Sequence, residues 1–297
     1  PLEWNTIAQK NIFLSKEYLQ VLENSAPKNM QCHYIGVYKN DILVGICLTQ
    51  FLNLNLLDSF GERDNCFKTN IRNFVFKNYC SHVIFIGNNM LTGQNAYVIS
   101  EDISNLEMID VLKLAVEDLK IQFKIQKTKV HLTVFKDFDA KGSHELLSAF
   151  EDFYKFTTQP NMLFSIPNEW KTEQDYIDSL NKKYRDQYKR ARKKIIDVEK
   201  RKLSCEEIKN HETTINELYH HVAQNAPFNT FFLAENHFCE FKKTLDDNFL
   251  FYGYFLNDTL IGFNTLIKNG DVMDTYFLGY DETIQREKML YLNMLYD

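Results

Sequence analysis

The feature that most constrains the fold of this chain is an internal repeat. Residues 34–50 read YIGVYKNDILVGICLTQ, and residues 251–267 read FYGYFLNDTLIGFNTLI. The two segments align without a gap, and several residues are identical in both. In the first copy these are Gly36, Asn40, Asp41, Leu43 and Gly45. Each copy has two runs rich in aliphatic and aromatic residues around an Asn-Asp pair, which is typical of a β-hairpin.

Amphipathic helical patterns precede both hairpins. NIFLSKEYLQVLE begins at Asn11, and NTFFLAENHFCEFKKTL begins at Asn229. A polar residue opens each pattern, as at the start of many helices. The same order of elements, found twice, predicts two copies of one folded unit. Chance similarity between two hairpins is the alternative.

The rest of the chain alternates between strand and helix patterns. The first copy continues with predicted strands at 82–87, 129–138 and 161–166 and predicted helices at 105–124 and 143–156. Pro167 then interrupts the pattern, and a long helix is predicted over 173–202. The second copy continues with a strand at 271–279 and a helix from about residue 285.

These elements predict an α/β (α+β) protein with two tandem domains, each a mixed, largely antiparallel sheet flanked by helices. The first domain is expected at 1–166 and the second at 203–297, with a basic linking helix at 167–202. By analogy with the first copy, the second is expected to be incomplete at its C-terminus.

Composition limits the class of function. The net charge is −6, so the protein as a whole is not a binder of polyanions, and contact with one has to be local. The six cysteines are scattered without a C-x-x-C pair, which predicts reduced thiols in a cytoplasmic protein and no metal site. No run is long and apolar enough to span a bilayer, so a cytoplasmic or peripheral inner-membrane location is expected.

The order of elements resembles the GNAT (Gcn5-related N-acetyltransferase) fold, and two such units joined by a basic helix resemble the bacterial FemAB-like group. The resemblance rests on the repeated hairpins, on HVIFIGNNMLTGQN (82–95) and on DYIDSLNKKYRDQYKRARKK (175–194). It implies transfer of an acyl or aminoacyl group to the amine of a cell-envelope (peptidoglycan) precursor or a lipid-like acceptor.

The resemblance also implies a coenzyme A site where a strand, a loop and a helix meet. In GNAT enzymes an R/Q-x-x-G-x-G/A pattern there holds the pyrophosphate on backbone N–H groups and a helix N-terminus. The matching residues are Asn89, Gly93, Gln94 and Asn95 in the first copy, and Gly279 and Arg286 in the second. The first copy has one glycine and no basic residue, and the second has two acidic residues. Acyl-CoA and aminoacyl-tRNA therefore both stay open as donor, with no tightly bound cofactor.

Asp274 is the main catalytic candidate. It lies in the otherwise apolar strand DVMDTYFLG (271–279), where alternation places Val272, Asp274, Tyr276 and Leu278 on one face. Apolar surroundings raise the pKa of a carboxyl group towards the range of a general base, which amine acylation requires. Tyr276 could donate a proton or a hydrogen bond. A structural or solvent-facing aspartate is the alternative.

His82 and the amide-rich loop that follows its strand form a second candidate site. Asn88, Asn89, Gln94 and Asn95 follow the strand. Amide side chains at the carboxyl end of a strand suit the binding of a peptide or amide, and His82 is a catalytic candidate in the same region. The alternatives are a surface histidine and a loop that only caps a helix.

The predicted linking helix carries a strong local charge. Eleven basic and three acidic residues lie between Lys182 and Lys202. The basic surface residues of this helix are predicted to be Lys182, Lys183, Arg185, Lys189, Arg190, Arg192, Lys193 and Lys194. They could contact the tRNA backbone or an anionic membrane, and a solvated helix whose tyrosine stripe packs on a domain is the alternative.

The sequence thus favours an N-acyltransferase whose substrate is a small-molecule or lipid-linked amine. A catalytically inactive binding protein for an envelope precursor or a partner protein is the alternative. The oligomeric state is not predicted.

Overall fold

The computed structural model describes residues 3–9, 11–56, 74–93, 96–138, 146–157, 161–226 and 229–297. The chain forms two compact units. Unit 1 comprises Pro1–Gln159 and Thr230–Glu240, and unit 2 comprises Pro160–Asn229 and Phe241–Asp297. The predicted α/β class is confirmed, because each unit contains a sheet flanked by helices.

Unit 1 contains a mixed sheet. Its strands are β1 (Met30–Lys39), β2 (Ile42–Asn53), β3 (His82–Ile86), β4 (Tyr97–Ile99) and β5 (Leu132–Phe135). Its helices are α1 (Trp4–Ala8), α2 (Lys16–Asn24) and α3 (Asn105–Ile125), with short 3₁₀ turns at Ile12–Leu14, Leu54–Leu56 and Leu147–Phe150. The strand order is β1-β2-β3-β5, and β4 also pairs with β2. The β3–β5 pair is parallel, whereas the other pairs are antiparallel.

The core of unit 1 lies between this sheet and α3. Strand β2 is buried over almost its whole length because its residues are almost all apolar. Helix α3 begins after Ser104, whose hydroxyl accepts from the Glu107 N–H while the Glu107 carboxylate accepts from the Ser104 N–H. The helix buries an apolar stripe at helical spacing: Met108, Ile109, Leu112, Val116, Leu119 and Phe123.

Unit 2 contains an antiparallel sheet in the order β6-β7-β8-β9. The strands are β6 (Val198–Lys202), β7 (Phe249–Leu256), β8 (Thr259–Asn269) and β9 (Val272–Tyr280). The remaining helices are α4 (Glu173–Ser179), α5 (Lys182–Lys194), α6 (Cys205–Asn210), α7 (Glu212–Asn225), α8 (His237–Leu245), α9 (Glu282–Lys288) and α10 (Leu290–Tyr296), and a 3₁₀ turn covers Asp246–Asn248. Helix α8 contributes residues to both units.

The two repeated hairpins share turn geometry and register. Asn40 and Asp41 have φ of 51° and 64°, and Asn257 and Asp258 have φ of 49° and 59°. Two positive φ values characterise the type I′ turn, whose twist matches that of the flanking strands. The next strand of each hairpin contains a bulge at the same offset, with the extra residue at Val44 in one unit and Ile261 in the other.

Both bulge residues are buried in the core of their unit. Val44 belongs to the cluster built around α3, and Ile261 packs with Leu290 and Met294 of α10. Since turn, bulge and core contact all recur, the two segments have matching surroundings. This supports duplication of one unit over chance similarity.

The copies differ where the third strand meets β2 or β8. In unit 1 the partner of β2 is interrupted: β3 ends before Leu48, β4 begins after it, and the Leu48 backbone bonds to Gly87 N–H and the Ala96 carbonyl, each at 3.0 Å. In unit 2 the partner β9 is continuous, with a bulge opposite the equivalent residue, Thr265. The loop in unit 1 thus occupies the position of the bulge in unit 2.

The predicted long helix over 173–202 is wrong. Leu180 adopts an extended conformation, and the side chain of Asn181 accepts from the Tyr184 N–H, so a new helix begins there. Residues 198–202 form β6 and pair with β7. Their alternating VEKRK pattern suits an edge strand, and pairing with β7 supplies backbone hydrogen bonds that a helical end would lack.

Two further predicted elements differ from the structure. Within the described part of the predicted helix at 143–156, only a 3₁₀ turn forms, at Leu147–Phe150. Residues 161–166, predicted as a strand, are irregular and exposed. The apolar pattern of each segment suits a buried element, but within the described residues neither segment pairs with a strand.

His237 makes the stability of unit 1 sensitive to pH. It is fully buried at the start of α8, and its Nδ1 lies 3.3 Å from Ser25 Oγ. Burial lowers the pKa of His237 to about 3. Below pH 6.5 the unfolded chain therefore binds a proton that the folded chain excludes, and stability falls as the pH falls.

We expect the free energy of unfolding to fall by about 1.4 kcal/mol per pH unit between pH 6 and pH 4 because of His237 alone. Urea denaturation across this range measures the slope. His237→Asn should reduce the slope by this amount, whereas His221→Asn, at an exposed position, should leave it unchanged. Equal slopes in the two variants would contradict the assignment.

Candidate functional site

The carboxyl ends of β3 and β5 form the candidate site of unit 1. These are the parallel neighbours among the described strands, and the residues that follow them are Gly87, Asn88 and Asn89 after β3 and Lys136 and Asp137 after β5. Ligands of α/β sheets bind preferentially beyond the carboxyl ends of parallel strands. Because the strand that pairs with β2 is interrupted between β3 and β4, loop residues lie at this end of the sheet.

A buried polar network fixes the start of this loop. Asn88 donates through Nδ2 to the Tyr18 hydroxyl at 2.7 Å, and its Oδ1 accepts from the Met90 N–H at 2.9 Å. Gln50, fully buried on β2, accepts through Oε1 from the Asn89 N–H at 2.7 Å. Such bonds fix the backbone of a loop because buried polar groups lose free energy when they are unpaired. Asn88 is therefore a structural part of the loop.

Lys136 and Asp137 complete the site. The Lys136 ammonium donates to the carbonyls of Asn88 at 2.8 Å and Leu91 at 3.1 Å, and it is ion-paired with Asp137. Asp137 has φ of 65°, a conformation that costs free energy in a residue other than glycine. Gly87, with φ of 136°, leaves the room that the Lys136 side chain fills, since a Cβ there would lie 2.5 Å from Lys136 Cγ.

Sequence reasoning missed Gln50, Lys136 and Asp137. The prediction of a strand over 129–138 placed the last two inside the strand, although β5 ends at Phe135. Gln50 gave a weak signal as a polar residue in the apolar run of β2. Its role depends on the distant loop that it contacts.

The structure separates His82 from the loop. His82 begins β3, at the opposite end from Asn88, and its ring stacks on His131 at 4.9 Å between centroids. Its Nδ1 lies 2.9 Å from the Lys129 carbonyl oxygen. Gly93 is exposed with φ of 75°, and Gln94 and Asn95 lie outside the described residues.

The loop after β3 leads into a strand rather than a helix. Strand β4 follows it, and α3 begins only at Asn105. In unit 2 the helix α9 follows β9 directly. The first helix start after this strand position is therefore at residues 100–105 in unit 1 and at 280–282 in unit 2.

Acidic groups already occupy both helix starts. Glu107 closes the start of α3, and hydrogen bonds from the backbone and side chain of Ser104 lower the pKa of Glu107. Asp281 accepts from the Thr283 N–H at 2.8 Å at the start of α9. Arg286 is exposed in the last turn of α9, away from that start. At both helix starts a carboxylate of the chain itself therefore accepts a backbone N–H.

Asp274 lies before a change in strand register, and Tyr276 lies within the bulge that causes it. Asp274 is partly buried and pairs with Ile267, whereas Leu278 pairs with Asn264. Ile267 and Asn264 are on opposite faces of β8, so the predicted grouping of Asp274 with Leu278 is wrong. The bulge at β9 shifts the alternation by one residue, as bulges do.

The Tyr276 ring is partly buried and packs against aromatic side chains of unit 2. It stacks on Phe241 of α8 at 5.1 Å between centroids, and Phe249 of β7 lies against it edge-on at 6.4 Å. Asp274 thus lies on a strand whose neighbouring side chains are largely aromatic and apolar.

The basic helix is divided into a packed side and an exposed side. Arg192 lies on the packed side, where it bonds to Asp297 at 2.5 Å and Glu173 at 3.0 Å and stacks over Tyr188. Arg185 donates to the Leu180 carbonyl at 2.8 Å. The other predicted basic residues are exposed: Lys182, Lys183, Lys189, Arg190, Lys193 and Lys194.

The fold of this chain is similar to that of a protein of known structure. The chain has a two-unit, mixed α/β fold with one sheet in each unit. The crystal structure of FemX, a protein of the FemAB family, has a similar fold, with a TM-score of 0.54 and 10% sequence identity over 99% of this chain and 83% of FemX. No protein-family model and no curated protein sequence matches the chain.

Two further findings concern the described residues only. They contain no group of three or more His, Cys, Asp or Glu side chains placed to hold a metal ion. No helix among them has the length and the apolar character that crossing a bilayer requires.

Gly279 is explained by close packing of a helix on β9. A Cβ at this position would lie 2.6 Å from backbone atoms of Leu218 and Tyr219 in α7. We therefore expect Gly279→Ala to lower the free energy of unfolding by about 3 kcal/mol, since backbone atoms cannot rotate away. Urea denaturation measures the change.

Gly270→Ala is the matched control. Gly270 has φ of 61° and no atom within 4 Å of the added Cβ, so only backbone strain of about 1 kcal/mol is expected. A Gly279→Ala variant as stable as Gly270→Ala would contradict the packing explanation.

Proposed function

We propose that this protein is a Fem-type transferase that passes an aminoacyl or acyl group to an amine of a peptidoglycan precursor. The observation that carries the proposal is the FemX fold, which extends over 99% of this chain and 83% of FemX. The repeated hairpin supports the proposal, because both halves of the chain then have the same architecture, as the resemblance to two-unit FemAB-like proteins implies. Fold alone does not define chemistry, so the remaining steps rest on individual residues.

The reaction requires a base. The acceptor amine must lose a proton before or as its nitrogen attacks the carbonyl carbon of the donor ester or thioester. In this proposal the Asp274 carboxylate accepts that proton, and the oxygen or sulfur of the donor leaves with the electron pair of the broken bond. Support comes from the partial burial of Asp274 beside apolar side chains and from its place next to a bulge, a feature enriched near active sites.

Aminoacyl-tRNA is favoured over acyl-CoA as the donor. Acidic caps at the starts of α3 and α9 offer repulsion where acyl-CoA would need an anion-binding helix start. Coenzyme A can also be bound without a helix start, so the assay includes both donors.

The test is a transfer assay with the full chain. The acceptor is a nucleotide-linked peptidoglycan precursor with a free side-chain amine, and the donors are a mixture of aminoacyl-tRNAs or acetyl-CoA. Mass spectrometry should show one aminoacyl group added to the precursor, and none added to a precursor whose amine is blocked. Absence of transfer from both donors would contradict the proposal.

A binding protein without catalytic activity is the second candidate. The same acidic helix starts favour it, because they are expected if a donor site has been lost. Calorimetric titration with the precursor distinguishes the two: binding without transfer supports this alternative, and absence of both binding and transfer excludes both candidates.

We expect Asp274→Asn to reduce kcat/KM by about 10²–10⁴-fold, because the amide cannot accept the proton of the attacking amine. Asp271→Asn, three residues earlier in an exposed turn, is the matched control and should stay within about twofold of the wild type. The residual activity of Asp274→Asn should rise with pH as more free amine forms. A loss that is independent of pH would indicate a structural role instead.

A further inference from the structure

The exposed side of α5 forms a continuous basic face. We define it by Lys182, Lys183, Lys189, Arg190, Lys193 and Lys194, all exposed. Asp186 is the acidic residue at this face, and within the described chain none of the six basic side chains takes part in an ion pair. The opposite side of the helix is anchored, since Tyr188 and Ala191 are buried. The face is therefore a fixed surface with six basic residues against one acidic residue, on a protein of net charge −6.

An exposed apolar side chain lies next to this face along the chain. Ile196 belongs to the turn that follows α5, two residues after Lys194. Its side chain is 87% exposed. The neighbouring Asp197 is ion-paired with Lys288 at 2.7 Å, so its charge does not cancel the basic face.

This combination matches a lipid surface better than a nucleic acid. Anionic headgroups attract Lys and Arg, and an isoleucine next to them gains free energy by leaving water for the acyl boundary. A nucleic acid backbone offers no apolar partner for Ile196. Tyr184, 48% exposed, borders the basic face, with the Lys183 Nζ 5.5 Å from its ring centroid, and tyrosine rings are enriched at the headgroup level of membranes.

We propose that the basic face of α5, together with Ile196, docks the protein on an anionic lipid surface. The docking is peripheral: the helix keeps its packed side on unit 2, and its charged side chains contact the headgroups. The proposal does not rest on transferase activity, so it stands or fails separately from the proposed function.

The test is co-sedimentation of the full chain with lipid vesicles. We expect binding to vesicles of phosphatidylcholine and phosphatidylglycerol in a ratio of about 7:3, and no binding to pure phosphatidylcholine. Binding should weaken as salt is raised, because ions screen exposed charges. Equal binding to both vesicle types would overturn the proposal.

Two variants locate the surface. The triple variant K189Q/R190Q/K193Q should bind about 100-fold more weakly, since each basic residue near an anionic surface strengthens binding by about fivefold. Ile196→Ser should bind about fivefold more weakly through loss of apolar contact. Circular dichroism and urea denaturation should match the wild type, because the substituted side chains are exposed.

The matched control changes the same net charge elsewhere. Lys124, Lys127 and Lys129 are exposed in unit 1, and K124Q/K127Q/K129Q should lose less than about fivefold in vesicle binding. A control that loses as much as the α5 triple variant would overturn the assignment to α5. Binding of tRNA that depends on Lys189, Arg190 and Lys193, without binding to anionic vesicles, would also overturn the proposal in favour of a nucleic acid.

Discussion

The type I′ Asn-Asp turn and the bulge three residues later are the constraint on which both sheets depend. The turn sets which residues of the hairpin are opposite, and the bulge aims Val44 or Ile261 into its core. A shift of one residue in register would move the buried side chains of β2 or β8 to the other face. Because β2 and β8 are buried on both faces over most of their length, that shift would exchange the side chains that pack on the two sides of the sheet.

From this shared frame the two units diverge at one position. Opposite Leu48 the third strand of unit 1 separates into β3 and β4, and a loop takes its place. Opposite Thr265 the third strand of unit 2 stays continuous and absorbs one extra residue in a bulge. Both arrangements interrupt the regular hydrogen-bond ladder at equivalent points of the two units. The Lys136 network lies at one and Asp274 beside the other.

Charge is distributed unevenly over this architecture. Carboxylates take part in the caps at the starts of α3 and α9. The positive charge is instead collected on the exposed side of α5. The packed side of the same helix contains Arg192, whose ion pairs with Glu173 and Asp297 join α4, α5 and the end of α10. One side of α5 thus packs on unit 2, and the other side presents basic side chains to solvent.

The sequence alone determined the hairpins, the duplication, the α/β class and helix α3, because turn residues and apolar periodicity act over a few residues. The tertiary structure decided the features that depend on distant partners. Residues 198–202 became a strand because β7 was available to pair with them, and Lys136 joined the site because β5 brings it beside Asn88. The change of register at Tyr276 also depends on a partner, since a bulge exists only relative to the opposite strand. Local sequence patterns reflect the conformational preferences of a few neighbouring residues. Strand pairing and burial depend instead on which distant segments the folded chain brings into contact.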